Sequence, residues 1–77
     1  MSRAHYKLAV LTPLQAQSFA KLAKVVVDDL GLAGAAEKLD VSTTTLTRLI
    51  NDSYLTDRLA PIILRNYKAY KAERVAA

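Results

Sequence analysis

Only Asp40 and Val41 separate two stretches that both read as helix, and no other feature of the sequence constrains the fold as much. The first stretch, Leu32-Ala33-Gly34-Ala35-Ala36-Glu37-Lys38-Leu39, is rich in alanine and has high helix propensity. The second opens at Ser42, a hydroxyl residue suited to capping a helix N-terminus, and runs to Asn51. Its apolar residues are Leu46, Leu49 and Ile50, and their i, i+3, i+4 spacing predicts a narrow core stripe with a wide polar face. Asn51-Asp52-Ser53 is turn chemistry and closes it. Two helices joined so tightly cannot lie collinear, so the second has to cross the first. Ala36 must then be small where they approach. Leu39 and Val41 bracket the turn and insert into the core, while Leu46 and Leu49 anchor the second helix from beneath. This scaffold holds 42–51 proud of the body.

Upstream, Thr12-Pro13 reads as a helix start, with the hydroxyl residue as N-cap and proline at N1, where its missing N–H costs nothing. Phe19, Leu22, Ala23, Val26 and Leu30 fall on one helical stripe, which predicts a helix over 13–30 ended by Gly31 as a C′ residue with φ > 0. The β-branched run Val25-Val26-Val27 would also suit a strand, but no turn signal bounds it. Before this helix, Tyr6, Leu8 and Val10 alternate with Lys7, Ala9 and Leu11, and the segment reads as an N-terminal arm. Downstream, Pro61 opens a further helix over 60–74 with an apolar side of Ile62, Ile63, Leu64, Tyr67, Tyr70 and Val75. Arg65, Lys68, Lys71 and Arg74 recur every three residues along it as a slowly winding basic ridge. Repeats and linkers are absent from the sequence, so the expectation is one all-α domain over 1–77, with four helices and a short arm.

At 77 residues the chain holds one domain, near the lower end of what a single core stabilises. Without cysteine it can build neither a disulfide framework nor a thiolate zinc site, and with His5 as its single histidine no metal site is expected. Ser, His and Asp all occur, but no nucleophile elbow does, and so small a domain has little volume for a closed pocket; an enzyme is not expected. No cofactor or small-molecule ligand is evident either. No apolar run approaches the ~20 residues that span a bilayer, and no signal-peptide core precedes Thr12, so a cytoplasmic protein is expected. The net charge of +4 and pI near 9.6 suit an anionic partner. The charge is unevenly spread. Residues 28–57 carry six acids against Lys38 and Arg48, a net −4, and the bases lie in the flanks.

The run Ala35-Ala36-Glu37-Lys38-Leu39-Asp40-Val41-Ser42-Thr43-Thr44-Thr45-Leu46-Thr47-Arg48-Leu49-Ile50 resembles the helix-turn-helix of small phage and bacterial repressors, the Cro/lambda-repressor-like family. In that family an A-x-x-L-x-V-S element leads into a recognition helix, and an Arg commonly follows the buried aliphatic. The resemblance spans about 32–51. Asp40 stands at the turn position where the family usually has glycine; Asp tolerates the left-handed conformation better than most residues. The family's first helix commonly begins with a polar residue that anchors phosphate, whereas this one begins Leu32-Ala33, which leaves backbone N–H groups for that role.

The resemblance implies a sequence-specific DNA-binding regulator, a repressor by preference, with Ser42, Thr43, Thr44, Thr47, Arg48 and Asn51 facing the major groove. Arg48 has the donors for guanine O6/N7 and Asn51 for bidentate pairing with adenine. Phosphate contacts would fall to Arg3, Lys7 and Arg58, with Lys21 and Lys24 behind them. One recognition helix covers few base pairs, so such modules usually pair on two half-sites, which implies a homodimer. Ile62, Ile63, Tyr67 and Tyr70 are the expected interface, with the N-terminal arm as the other candidate. Two further functions fit the same sequence: a helical protein-interaction module whose basic face meets an acidic partner, and a mobile-element DNA-architectural or recombination-directionality factor.

Overall fold

A computed structural model describes residues 10–76, so the expected N-terminal arm up to residue 9, with Arg3, His5 and Lys7, lies outside the described residues. Three helices follow in order: α1 (Pro13–Leu39), α2 (Thr43–Asp52) and α3 (Ala60–Ala76). Among the described residues the fold is all-α, as expected, but the count of four helices is corrected to three. The stretches 13–30 and 32–39 are two limbs of one element, because Gly31 alone leaves helical geometry and the helix resumes at the next residue.

Thr12 starts α1 with a complete capping box. Its Oγ1 accepts from the Gln15 N–H at 3.2 Å, and its own N–H donates to Gln15 Oε1 at 3.1 Å. Pro13 follows in the first turn, as the sequence predicts. The core-facing stripe differs from the expected one. Ala16, Ala20, Ala23 and Val26 are buried, Phe19, Leu22 and Val27 are half-buried, and Leu30 is exposed. The small residues form the contact line and the large ones flank it, which brings the facing backbone close. Both α2 and α3 pack on α1. Leu39, Leu46, Leu49, Leu55, Ile63 and Val26 are the largest side chains wholly removed from solvent, and they bind all three helices into one core.

Polar contacts fix α3 against both limbs of α1, two at the second limb and one at Asp29 near the end of the first. Asn66 Nδ2 donates to the carbonyl of Leu39 at 2.9 Å, satisfying one of the four carbonyls a helix end leaves unpaired. Lys38 pairs with Glu73, and Arg74 Nη1 reaches Asp29 Oδ2 at 2.6 Å. Helix α3 begins one residue before Pro61, which therefore occupies the second helical position and not the first. Before α1, the Leu11 N–H donates to the Leu55 carbonyl at 2.9 Å and Val10 bridges Thr56, so the chain is already pinned to the body at Val10. Among the described residues, no helix is long and apolar enough to cross a membrane.

Gly31 has φ 82° and ψ 169°, a region that only glycine occupies readily. A Cβ there would meet nothing within 4 Å, so backbone conformation and not space demands the glycine. At Gly34 the reverse holds: a Cβ would come within 3.0 Å of Leu30 Cβ. Gly31→Ala is therefore expected to lose about 1–3 kcal/mol in urea denaturation although it touches no neighbour. An unchanged midpoint would show that the two limbs can straighten without cost.

Candidate nucleic-acid interface

The turn between α1 and α2 is a Schellman motif built on Asp40. Asp40 has φ 62° and ψ 44°, its N–H donates to the Glu37 carbonyl at 3.2 Å, and the Val41 N–H donates to the Ala36 carbonyl at 3.0 Å. The small side chain of Ala36 is buried beneath this turn, and Val41 packs half-buried against the core. Ser42 then caps α2, its Oγ accepting from the Thr45 N–H at 3.0 Å and donating to Thr45 Oγ1 at 3.0 Å. The expected N-cap is thus in place. Its consequence is that the Ser42 hydroxyl is already engaged within the protein.

Along α2, Leu46 and Leu49 are 0% exposed, whereas Thr43, Thr44, Thr47, Arg48 and Asn51 all face solvent. The Thr47 hydroxyl donates to the Thr43 carbonyl at 2.9 Å, which uses its proton and leaves the oxygen free to act only as an acceptor. Arg48 lies with its guanidinium 4.1 Å above the centre of the Tyr54 ring. The helix runs one residue past Asn51 and ends at Ser53, also left-handed (φ 51°, ψ 44°), with its N–H donating to the Leu49 carbonyl at 3.1 Å. Acids border this face: Asp40 precedes α2, Asp52 is in its last turn and Asp57 follows, all exposed. Arg58 is exposed in the turn before α3.

Tyr54 and Asn66 have no place in the sequence-based site. Hydrophobic periodicity could not reveal Tyr54, because the left-handed residue at Ser53 reverses the chain and returns the ring to Arg48, six positions back. Asn66 sits on the half-buried edge of α3, where only a view of the facing α1 terminus shows its purpose.

The expected dimer face is corrected in part. Ile63 is 0% exposed and Tyr70 only 3%, so both belong to the core of the chain itself. Ile62 and Tyr67 are half-buried. The expected basic ridge is also partly engaged: Arg74 is paired with Asp29 and lies 5.6 Å from the Tyr70 ring centre, and Lys71 lies 5.7 Å from that of Tyr67.

The Tyr70 hydroxyl donates to Asp29 Oδ2 at 3.0 Å, sharing that oxygen with Arg74. Burial pushes the Tyr70 pKa above its ordinary value of 10.0, and the Asp29 hydrogen bond adds to this while Arg74 opposes it. A folded-state pKa above the unfolded one means the native state holds the proton more tightly. The resulting stabilisation is complete below about pH 10 and declines as pH rises past it. Tyr70→Phe should flatten the alkaline fall of the melting temperature above pH 10 relative to the parent; equal slopes would remove the phenol as its source. At the turn, Asp40→Gly should stabilise by about 0.5–1 kcal/mol by relieving the left-handed strain, and Asp40→Ala should destabilise. Denaturation midpoints moving the other way would contradict the strain assignment. In comparisons with known proteins, no family model, curated protein or solved structure matches this chain.

Proposed function

We propose that the chain is a sequence-specific DNA-binding regulator, a repressor by preference, that inserts α2 into the major groove and acts as a homodimer. The observation that carries this is the division of α2: two fully buried leucines fix one side, and an uninterrupted polar face of Thr43, Thr44, Thr47, Arg48 and Asn51 projects from the other. A helix of this width fits the ~12 Å major groove. Arginine, asparagine and threonine supply the donors, acceptors and methyls that base edges offer there. The tight Asp40 turn agrees with the resemblance to Cro/lambda-repressor-like helix-turn-helix proteins, and by the same resemblance a polymerase would be excluded from the occupied operator.

Electrostatics makes phosphate contact selective. Asp40, Asp52 and Asp57 repel the backbone at both ends of α2, so the attraction comes from Arg58, Lys21 and Lys24 among the described residues and from Arg3 and Lys7 before them. A homodimer doubles both the footprint and this charge. With Ile63 and Tyr70 committed to the core, the α3 contact between copies narrows to the exposed edges of Ile62 and Tyr67.

Selection of bound sequences from random duplex DNA tests the proposal. The expected product is a motif repeated at a spacing of one helical turn, with binding that weakens steeply as salt rises, by about 0.9 log units per log unit of salt for each phosphate contacted. Arg48→Ala should cost about 1–3 kcal/mol on the selected site and leave non-specific binding nearly unchanged. Equal losses on both DNAs would reduce Arg48 to a phosphate contact. No enriched motif would favour the protein-interaction module, and strong bending of the selected DNA would favour the architectural factor.

A further inference from the structure

We propose that Tyr54 is a positioning residue for Arg48, holding the guanidinium over its ring so that the N–H edge meets a guanine already oriented. This deepens the DNA-binding proposal above and rests on it. The 4.1 Å approach of the guanidinium to the ring centre places the cation on the electron-rich face of the phenol. A stacked guanidinium uses its faces for that contact, and its N–H donors lie in the plane between them. A guanidinium lying parallel to the ring would leave available the edge that bidentate recognition of guanine O6 and N7 requires.

The backbone that carries the ring is fixed on both sides. Ser53 turns the chain through its left-handed conformation, and the Tyr54 N–H points back to the Arg48 carbonyl at 3.4 Å. The next residue, Leu55, is 1% exposed, and its carbonyl accepts the Leu11 N–H. Tyr54 is half-buried between them. Asp52, four positions after Arg48 on α2, is the obvious competitor for the guanidinium. Among the described residues, neither ion pair includes Arg48. The side chain is thus restrained by an aromatic face that does not neutralise its charge, and a long flexible side chain loses less entropy on binding when it is restrained beforehand.

The experiment compares the parent, Tyr54→Phe, Tyr54→Leu, Arg48→Ala and the Arg48→Ala/Tyr54→Leu double variant on the DNA motif selected by the parent. Tyr54→Leu should weaken binding about three- to tenfold and erode preference at the same guanine whose preference Arg48→Ala abolishes. Tyr54→Phe keeps the ring and should bind within about twofold of the parent. In the Arg48→Ala background, Tyr54→Leu should have no further effect, which a purely structural role would not produce. In the free protein, the Arg48 Nε–H resonance should show an aromatic ring-current shift in the parent and Tyr54→Phe. Should Tyr54→Leu fail to fold, the free parent decides: an Arg48 Nε–H resonance without a ring-current shift overturns the positioning role. A motif and affinity unchanged in Tyr54→Leu, or an undiminished effect in the double variant, overturns it equally and leaves the DNA-binding proposal standing. A parent that selects no motif overturns both.

Discussion

The left-handed backbone at Asp40 is the constraint from which the placement of α2 follows. It lets the Asp40 and Val41 N–H groups close on Glu37 and Ala36, ending α1 with its terminal carbonyls engaged. The chain leaves in a new direction at once, and Ser42 begins the next helix after a single intervening residue. Were residue 40 to keep helical dihedrals, α1 would continue and the threonines would wind around its axis. Separation of Leu46 and Leu49 from the polar face depends on the turn. Asp40 achieves at some conformational cost what glycine would do freely, and its carboxylate adds negative charge beside the start of α2.

A second non-helical residue, Gly31, serves a different end. At Asp40 a helix stops; at Gly31 it is interrupted and resumes. The interruption allows Ala16, Ala20, Ala23 and Val26 on the first limb and Ala35, Ala36 and Leu39 on the second to enter the same core. Alanine contributes little buried area per residue, so the larger share comes from Leu46, Leu49 and Ile63, which are wholly buried in the same core. The cost of a small-residue face is that few large side chains lock α3 in place. Asn66–Leu39, Lys38–Glu73 and the Asp29–Tyr70–Arg74 cluster supply that lock with directional contacts at the far end.

Local signals in the sequence were legible where one residue type answers one local need. Thr12-Pro13, Ser42 and the Leu46/Leu49 pair are of this kind, and each occupies the predicted structural position. Legibility failed where the answer depended on the facing element. The α1 stripe was displaced because periodicity weights Phe19, Leu22 and Leu30 above alanine, whereas close packing put the alanines on the contact line. Ile63 and Tyr70 resemble surplus apolar surface on α3 alone, because the α1 face that packs against α3 is remote in sequence. The four-helix count failed because Gly31 signals a break in helical geometry without saying whether a loop follows. Tyr54 was hidden by the reversal at Ser53, which brings together residues that no helical wheel places side by side.

The charge distribution turns these packing details into a condition on any function of α2. Its exposed face holds one cation, Arg48, between acids at either end, so it exerts little general attraction for a phosphate backbone. Under the proposed function, two tasks that many basic helices combine would be separated: remote cations would bring the duplex near, and α2 would contribute chiefly through short-range contacts with base edges. Such a face gains little from loose proximity, because threonine, asparagine and a stacked arginine reward only well-aligned partners. The Tyr54 contact fits that logic. Where a single cation must discriminate and not merely attract, restraining its orientation matters more than increasing the charge around it.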